Sequence, residues 1–136
     1  EKNMIVLGGY LIAPEAKRTQ FPVMFDPDEE EVLEALSKLR HSSGVLVLRV
    51  KPEPEIGAYE VALHAENGRF IVMLSQHAED GEHEVFTLRG AGEGNGFTYI
   101  LGEAYPMAAV TENFGLICNC FKKFLLERKV SSDVWV

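Results

Sequence analysis

Asn67-Gly68 lies between two runs of alternating polarity and constrains the fold more than any other stretch of the chain. An Asn-Gly turn supplies the two positive φ angles of a tight hairpin, so it sets the register of the strands on either side. Across the hairpin Tyr59–Ser75, Glu66 is expected opposite Arg69, Ala65 opposite Phe70, Leu63 opposite Val72 and Val61 opposite Leu74. One face then collects Val61, Leu63, Ala65, Phe70, Val72 and Leu74. The other carries Glu60, His64, Glu66, Arg69 and Ser75 with Ala62, Ile71 and Met73. A slip by one residue scrambles that division, which makes the register well specified.

The rest of the chain supplies partners for the hairpin. Met4–Ile12 reads as a strand, with Gly8-Gly9 marking a bulge or a close backbone approach. A helix is expected after Phe21-Pro22, with Asp26 as cap, Pro27 in the first position and Glu29 completing a box-like arrangement. Its buried stripe is Val32, Leu33, Leu36 and Leu39, its negative end is complemented by Lys38, Arg40 and His41, and Gly44 is the expected terminator. Val45–Lys51 is the next strand, with Leu46, Leu48 and Val50 on one face. Gln76–Glu84 reads as a polar turn, Val85–Arg89 as a strand, Gly90–Gly96 as a flexible loop and Phe97–Leu101 as the last strand. Thr111 is the expected cap of a second helix running to about Lys129, with Phe114, Ile117, Cys118, Phe121, Phe124 and Leu125 at helical spacing. Gly115 within it suggests close contact with the sheet, and Trp135 is expected to seal a core edge.

Strands in hairpin succession with helices at the two ends predict an α+β fold. The expected architecture is one antiparallel sheet of five or six strands with two principal helices on one face, in a single domain spanning residues 1–136. The parities 46/48/50, 61/63/65, 70/72/74, 86/88 and 97/99/101 place the helix-covered side. The opposite side is mixed, with Arg49, Lys51, Glu60, His64, Thr87, Arg89 and Thr98 around Val45, Val47, Ala62, Ile71, Met73 and Ile100. It reads as a partly solvated face, with an interaction surface, an apolar centre within a charged margin, as the alternative.

Chemical signatures are missing. The glycine loop has no helix directly after it and so lacks the amides that meet a phosphate. His77 and His83 flank Glu79, Asp80 and Glu82 without zinc spacing and read as solvated loop histidines. No GxSxG elbow is present, and Cys118 falls on the buried stripe while Cys120 is the more exposed. No catalytic, cofactor or metal site is expected. The chain has no apolar run long enough to span a membrane, and reduced, cytoplasmic surroundings are the default.

Charge is the clearest specific feature. The net charge is −8, from 21 acids and 13 bases, which disfavours nucleic acid and anionic membranes and favours basic partners. Asp26–Glu34 holds six acids and no base. Glu53, Glu55 and Glu60, then Glu79, Asp80, Glu82 and Glu84, continue the bias. Such asymmetry speaks for docking a basic macromolecule.

The chain also resembles the small immunity proteins of bacterial polymorphic-toxin systems, those of contact-dependent inhibition and type VI secretion. The resemblance runs through LGGY at Leu7–Tyr10, EEVLEAL at Glu30–Leu36, GRFIVML at Gly68–Leu74 and ILGEAYP at Ile100–Pro106. It continues through NF-x-LI-x5-KFL, from Asn113 to Leu125, and VSSDVW at the end. It implies a cytosolic protein with no catalysis of its own, a monomer or weak dimer that binds a cognate toxin domain such as a nuclease or deaminase. Such a protein blocks the toxin's active or substrate-binding surface. The candidate contacts are Asp28, Glu31, Glu34, Glu53, Glu55, Glu79, Asp80 and Glu82. Two other expectations are an acidic secretion chaperone for an exported effector and a small enzyme using His64 with Glu60 or Arg49.

Overall fold

The structure, a computed structural model, describes residues 3–12, 17–90 and 95–128. In chain order it comprises β1 (Met4–Ile12), β2 (Arg18–Gln20), β3 (Met24–Phe25), α1 (Glu29–Ser37), β4 (Ser43–Lys51), β5 (Gly57–Glu66) and β6 (Arg69–His77). There follow β7 (His83–Thr87), β8 (Phe97–Ile100), β9 (Glu103–Pro106), a 3₁₀ turn at Met107–Ala109 and α2 (Phe114–Glu127). The fold is α+β. Its main sheet is antiparallel in the order β2-β1-β4-β5-β6-β7, with β3 also on β1. The expected sealing role of Trp135 lies outside the described residues, as does most of the glycine loop.

The central hairpin has the expected register, Glu66 to Arg69 through Val61 to Leu74. Asn67 and Gly68 have φ of 49° and 82°, the left-handed pair that a twisted two-residue turn requires. One irregularity has no signature in the sequence: between Ala58 and Glu60 the register shifts by a bulge that leaves Tyr59 unpaired. The bulge turns Tyr59 away from the helices, and Ala58 takes its place beside Val61 in the main core.

That core runs under both helices, from Ile5, Leu7, Leu46, Leu48 and Val50 across Leu63, Phe70 and Val72 to Leu88, sealed by Val32, Leu36, Leu39, Ile117, Phe121 and Phe124. Each of these large side chains, when fully buried, contributes about 1.5–3 kcal/mol by leaving water. At Gly9 a Cβ would collide with the Val45 carbonyl oxygen, at a φ of 145°. Gly9 therefore serves close approach, whereas a Cβ at Gly8 would meet nothing within 4 Å, and there is no bulge, since β1 pairs with β4 without a register break.

Several expectations are corrected. The α1 cap is Asp28 with Glu31 as its box partner, because Asp26 is drawn off to β1: its side chain accepts the Ile5 N–H at 3.1 Å and its own N–H donates back to Ile5 at 2.7 Å. The helix ends at Ser37 with Lys38 as C-cap and no base in its last turn. Gly44 belongs to β4, where a Cβ would collide with the Tyr10 carbonyl oxygen and meet the Leu39 side chain at 2.7 Å. Asn113, not Thr111, caps α2 by accepting the Leu116 N–H at 3.1 Å, since Thr111 is paired with Phe70 of β6. The sheet-facing stripe of α2 is rotated to Ile117, Cys120, Phe121 and Phe124. Cys120 is therefore the buried cysteine and Cys118 the partly exposed one, the reverse of expectation. Gly115 does not touch the sheet, its nearest neighbour for a Cβ being the Asn113 side-chain oxygen at 3.4 Å.

The largest correction concerns Phe97–Leu101. This stretch does not extend the main sheet; β8 pairs only with β9, a strand absent from the expected series. The two-residue turn Leu101-Gly102 has φ of 53° and 84°, the same left-handed pair as Asn67-Gly68 without the asparagine that signals it. Ile100 then drops onto Ile71 with Ala109 and Val110, forming a second core on the mixed face. Phe97 and Tyr99, expected inside, are 70% and 64% exposed.

Candidate functional site

The mixed face is divided across its strands. At the Asn67-Gly68 end it is roofed by β8 and β9, which are tied down by the turn's own flanks. Arg69 donates to the Thr98 hydroxyl at 2.7 Å and to the Tyr99 carbonyl at 2.9 Å, while Glu66 accepts the Leu101 N–H at 2.6 Å. At the other end no such roof exists among the described residues, and an aromatic and charged cluster occupies the face.

Tyr59 is the centre of that cluster. The bulge that expels it from the helix side lays its ring on His77, with centroids 4.7 Å apart and planes 23° apart. Its hydroxyl shares a hydrogen bond of 2.7 Å with His83 Nδ1. His77 Nε2 is bonded to Glu53 at 2.6 Å. Arg49 pairs with Glu60 across β4 and β5, stands 3.9 Å from Glu53 and lies over the Tyr59 ring at 5.9 Å. Tyr59 is thereby 6% exposed although it lies off the main core. The expected solvated histidines are instead members of a partnered network. The pattern Glu-x5-Tyr…His…His does not announce it, because a bulge and two separate loops must bring these residues together.

The expected acidic residues fall into two groups. Asp28 and Glu31 are committed to capping α1, Asp28 accepting the Glu31 N–H at 2.8 Å and Glu31 accepting the Asp28 N–H at 3.0 Å. Glu53 is folded back onto His77, and Asp80 accepts the Glu82 N–H at 2.9 Å. Glu34, Glu55, Glu79 and Glu82 are exposed.

Topology gathers most of them. β4 and β6 end, and β5 and β7 begin, at the same end of the sheet, so the loops over residues 52–56 and 78–82 are neighbours. The pairing of Met4 with Lys51 brings the start of β1 to that end, and the Asp26–Ile5 bonds hold the N-terminus of α1 there. Three acidic segments thus share one rim, while Glu34 lies further along α1.

His64 stands where the roof stops. Burial lowers its pKa from the ordinary 6.5, against the opposing pull of Glu103 on β9 and of Glu60. The Glu60 carboxylate is already engaged by Arg49, so the expected His64–Glu60 or His64–Arg49 pairing is not formed as a hydrogen bond among the described residues. Burial pushes the Cys120 thiol up to about 11 and raises that of Cys118, the latter against Arg40 and Lys122. Neither is poised as a nucleophile, which requires a depressed thiol pKa. Among the described residues no cluster of three or more His, Cys, Asp or Glu is arranged for a metal ion. A cleft of about 430 Å³ opens at the start of α2, bounded by Arg40, His41, Phe70, Glu112, Phe114 and Gly115. Its Arg40 guanidinium is laid over the Phe114 ring at 5.0 Å.

No helix among the described residues is long and apolar enough to cross a membrane. The fold is that of an α+β protein with acidic residues gathered at one end of its main sheet. The chain belongs to DUF6911, a family of unknown function, whose model matches residues 4–134. It is similar to a hypothetical protein from Neisseria gonorrhoeae in a crystal structure, at 30% identity and a TM-score of 0.85, over 96% of this chain and 92% of that one. No curated protein matches it.

Proposed function

We propose that this protein is an immunity protein: a binding protein that neutralises a basic toxin domain by covering its active or substrate-binding surface. The observation that carries the reading is the convergence of the 52–56 loop, the 78–82 loop and the N-terminus of α1 on one end of the sheet. Glu53 is offset there by His77 and Arg49, while Glu55, Glu79 and Glu82 stand exposed on the same rim, and such a field speeds and orients the approach of a basic protein. The sequence resemblance to polymorphic-toxin immunity proteins supplies the partner class. The Tyr59 cluster holds Glu53 and the strand ends behind the two loops in fixed positions. The roles divide accordingly: Glu55, Glu79 and Glu82 face the partner, while Asp28, Glu31 and Glu53 hold the rim in shape.

The test is association with a cognate basic toxin domain, sought in the neighbouring gene. The triple reversal Glu55→Lys, Glu79→Lys, Glu82→Lys is expected to slow association about tenfold or more at low ionic strength and much less at high salt. An unchanged association rate would remove the acidic end from the interface.

A further inference from the structure

Among the described strands, the outer edge of β7 leaves backbone groups of the main sheet without a strand partner. Backbone hydrogen bonds of an antiparallel pair alternate, so every second residue of an edge strand directs its N–H and C=O away from the sheet. Here the Leu88 N–H donates to Val72 at 2.8 Å and the Ala78 N–H to Glu82 at 2.8 Å. Counting inward from both, Glu84 and Phe86 are the residues bonded to β6, opposite Gln76 and Leu74. His83 and Val85 therefore point their N–H and C=O groups outward, and β7 has no strand neighbour on that side among the described strands.

Natural sheets blunt such an edge with lysine, proline or a covering element. The opposite edge of this sheet is blunted in that way: β2 is three residues long, and its Arg18 lies 4.3 Å over the Tyr10 ring. β7 carries no proline and no lysine or arginine, and Val85 is 52% exposed. The acids of the 78–82 loop lie directly at its start, and Glu84 lies within it.

We propose that β7 is a strand-addition site, where an extended segment of the basic partner pairs with His83 and Val85 and continues the sheet. The inference rests on the reading of the acidic end as the partner surface and adds how the partner is held. Side-chain alternation specifies the segment's chemistry. Residues on the open face lie beside Val85 and His83 and are apolar. Residues on the helix side lie beside Glu84 and are lysine or arginine, with further bases meeting Glu79, Asp80 and Glu82. Main-chain bonds give the affinity in this mode, and the alternating side chains give the choice of partner. A second copy of this chain suits the edge less well, because it would bring a second set of the same acids to it.

The probe is a short synthetic peptide alternating lysine and valine, titrated into the full chain and followed by amide NMR. The expected result is a shift centred on the His83 and Val85 amides, and protection of both from hydrogen exchange. Two changes isolate the backbone contribution. One is N-methylation of alternate peptide amides, which keeps every charge. The other is Val85→Pro, which removes an N–H that makes no bond within the sheet. Each is expected to weaken binding about tenfold or more, the effect of one or two lost backbone hydrogen bonds. If Val85→Pro does not fold, the methylated peptide on the natural chain still decides the matter.

Equal binding of the methylated and unmethylated peptides would overturn strand addition. If the Lys reversals at Glu79 and Glu82 still abolished that binding, the acidic surface would stand without it. Indifference to the reversals as well would remove both. Self-association that Val85→Pro abolishes would assign the edge to a second copy and overturn the proposal.

Discussion

The two faces of the main sheet are built from the same strands and solve different problems. Beneath the helices, Ile5, Leu48, Leu63, Val72 and Phe121 belong to one continuous apolar layer. On the opposite face the strands change character along their length. Near the Asn67-Gly68 turn, Ile71 is sealed by Ile100, Ala109 and Val110; beyond it the face is given to Tyr59, Arg49, Glu60, His77 and His83. One face supplies cohesion. The other holds a small local core in place and leaves the remainder for charge and hydrogen bonding. The difference follows from what returns to cover each face: two amphipathic helices on one side, and a single two-stranded ribbon that reaches only part way on the other.

The comparison can be broken by removing one side chain from each core. Phe121→Ala takes a ring that is 0% exposed out of the layer that both helices share, and is expected to cost about 3–5 kcal/mol in urea unfolding. Ile100→Ala, also 0% exposed, is expected to cost about 2–3 kcal/mol, since the cluster around it is small and near the surface. The manner of loss is the sharper readout. Amide exchange in β8 and β9 should accelerate in Ile100→Ala while β4, β5 and β6 keep their protection, as expected for a separately opening unit. Loss of protection in every strand at once would show the two cores to be one cooperative layer.

The face under the helices is legible in the sequence because periodicity reports it. A strand with a helix above it keeps every second residue apolar, and 46/48/50, 61/63/65 and 70/72/74 all obey. The second face is not, because its cover is a ribbon whose turn, Leu101-Gly102, lacks a turn-forming first residue. In addition, Phe97 and Tyr99 carry apolar side chains on the ribbon's outer surface. Their alternation is real, yet it points at solvent. Parity rightly groups Ile100 with Ile71, although Ile100 reaches Ile71 from above and not from a neighbouring strand of the same sheet. The candidate site shows the same division. The acidity of the two loops is plain in the sequence, and their convergence follows from hairpin topology. The Tyr59 network depends on a bulge that no residue type signals, and on moving one ring to the other side of the sheet.

His64 offers the smallest and most local test, because it stands at the boundary of the roofed half. Burial is the main influence on it and lowers its pKa below 6.5, while Glu103 and Glu60 draw it back up. The unfolded chain therefore binds a proton at His64 more readily than the folded protein does. Stability from this residue is complete above 6.5 and declines as pH falls through that value toward the folded pKa. The side chain of His64→Gln does not titrate, so its urea midpoint should fall less than that of the natural chain between about pH 7.5 and 5.5. Equal losses in the two proteins would mean that the imidazole is solvated and that the roof stops short of it. The Ile100→Ala background decides the cause. When β8 and β9 are released, His64 loses the elements that bury it, and the pH-dependent difference made by His64→Gln should shrink. A difference that persisted there would assign the burial to the main sheet alone.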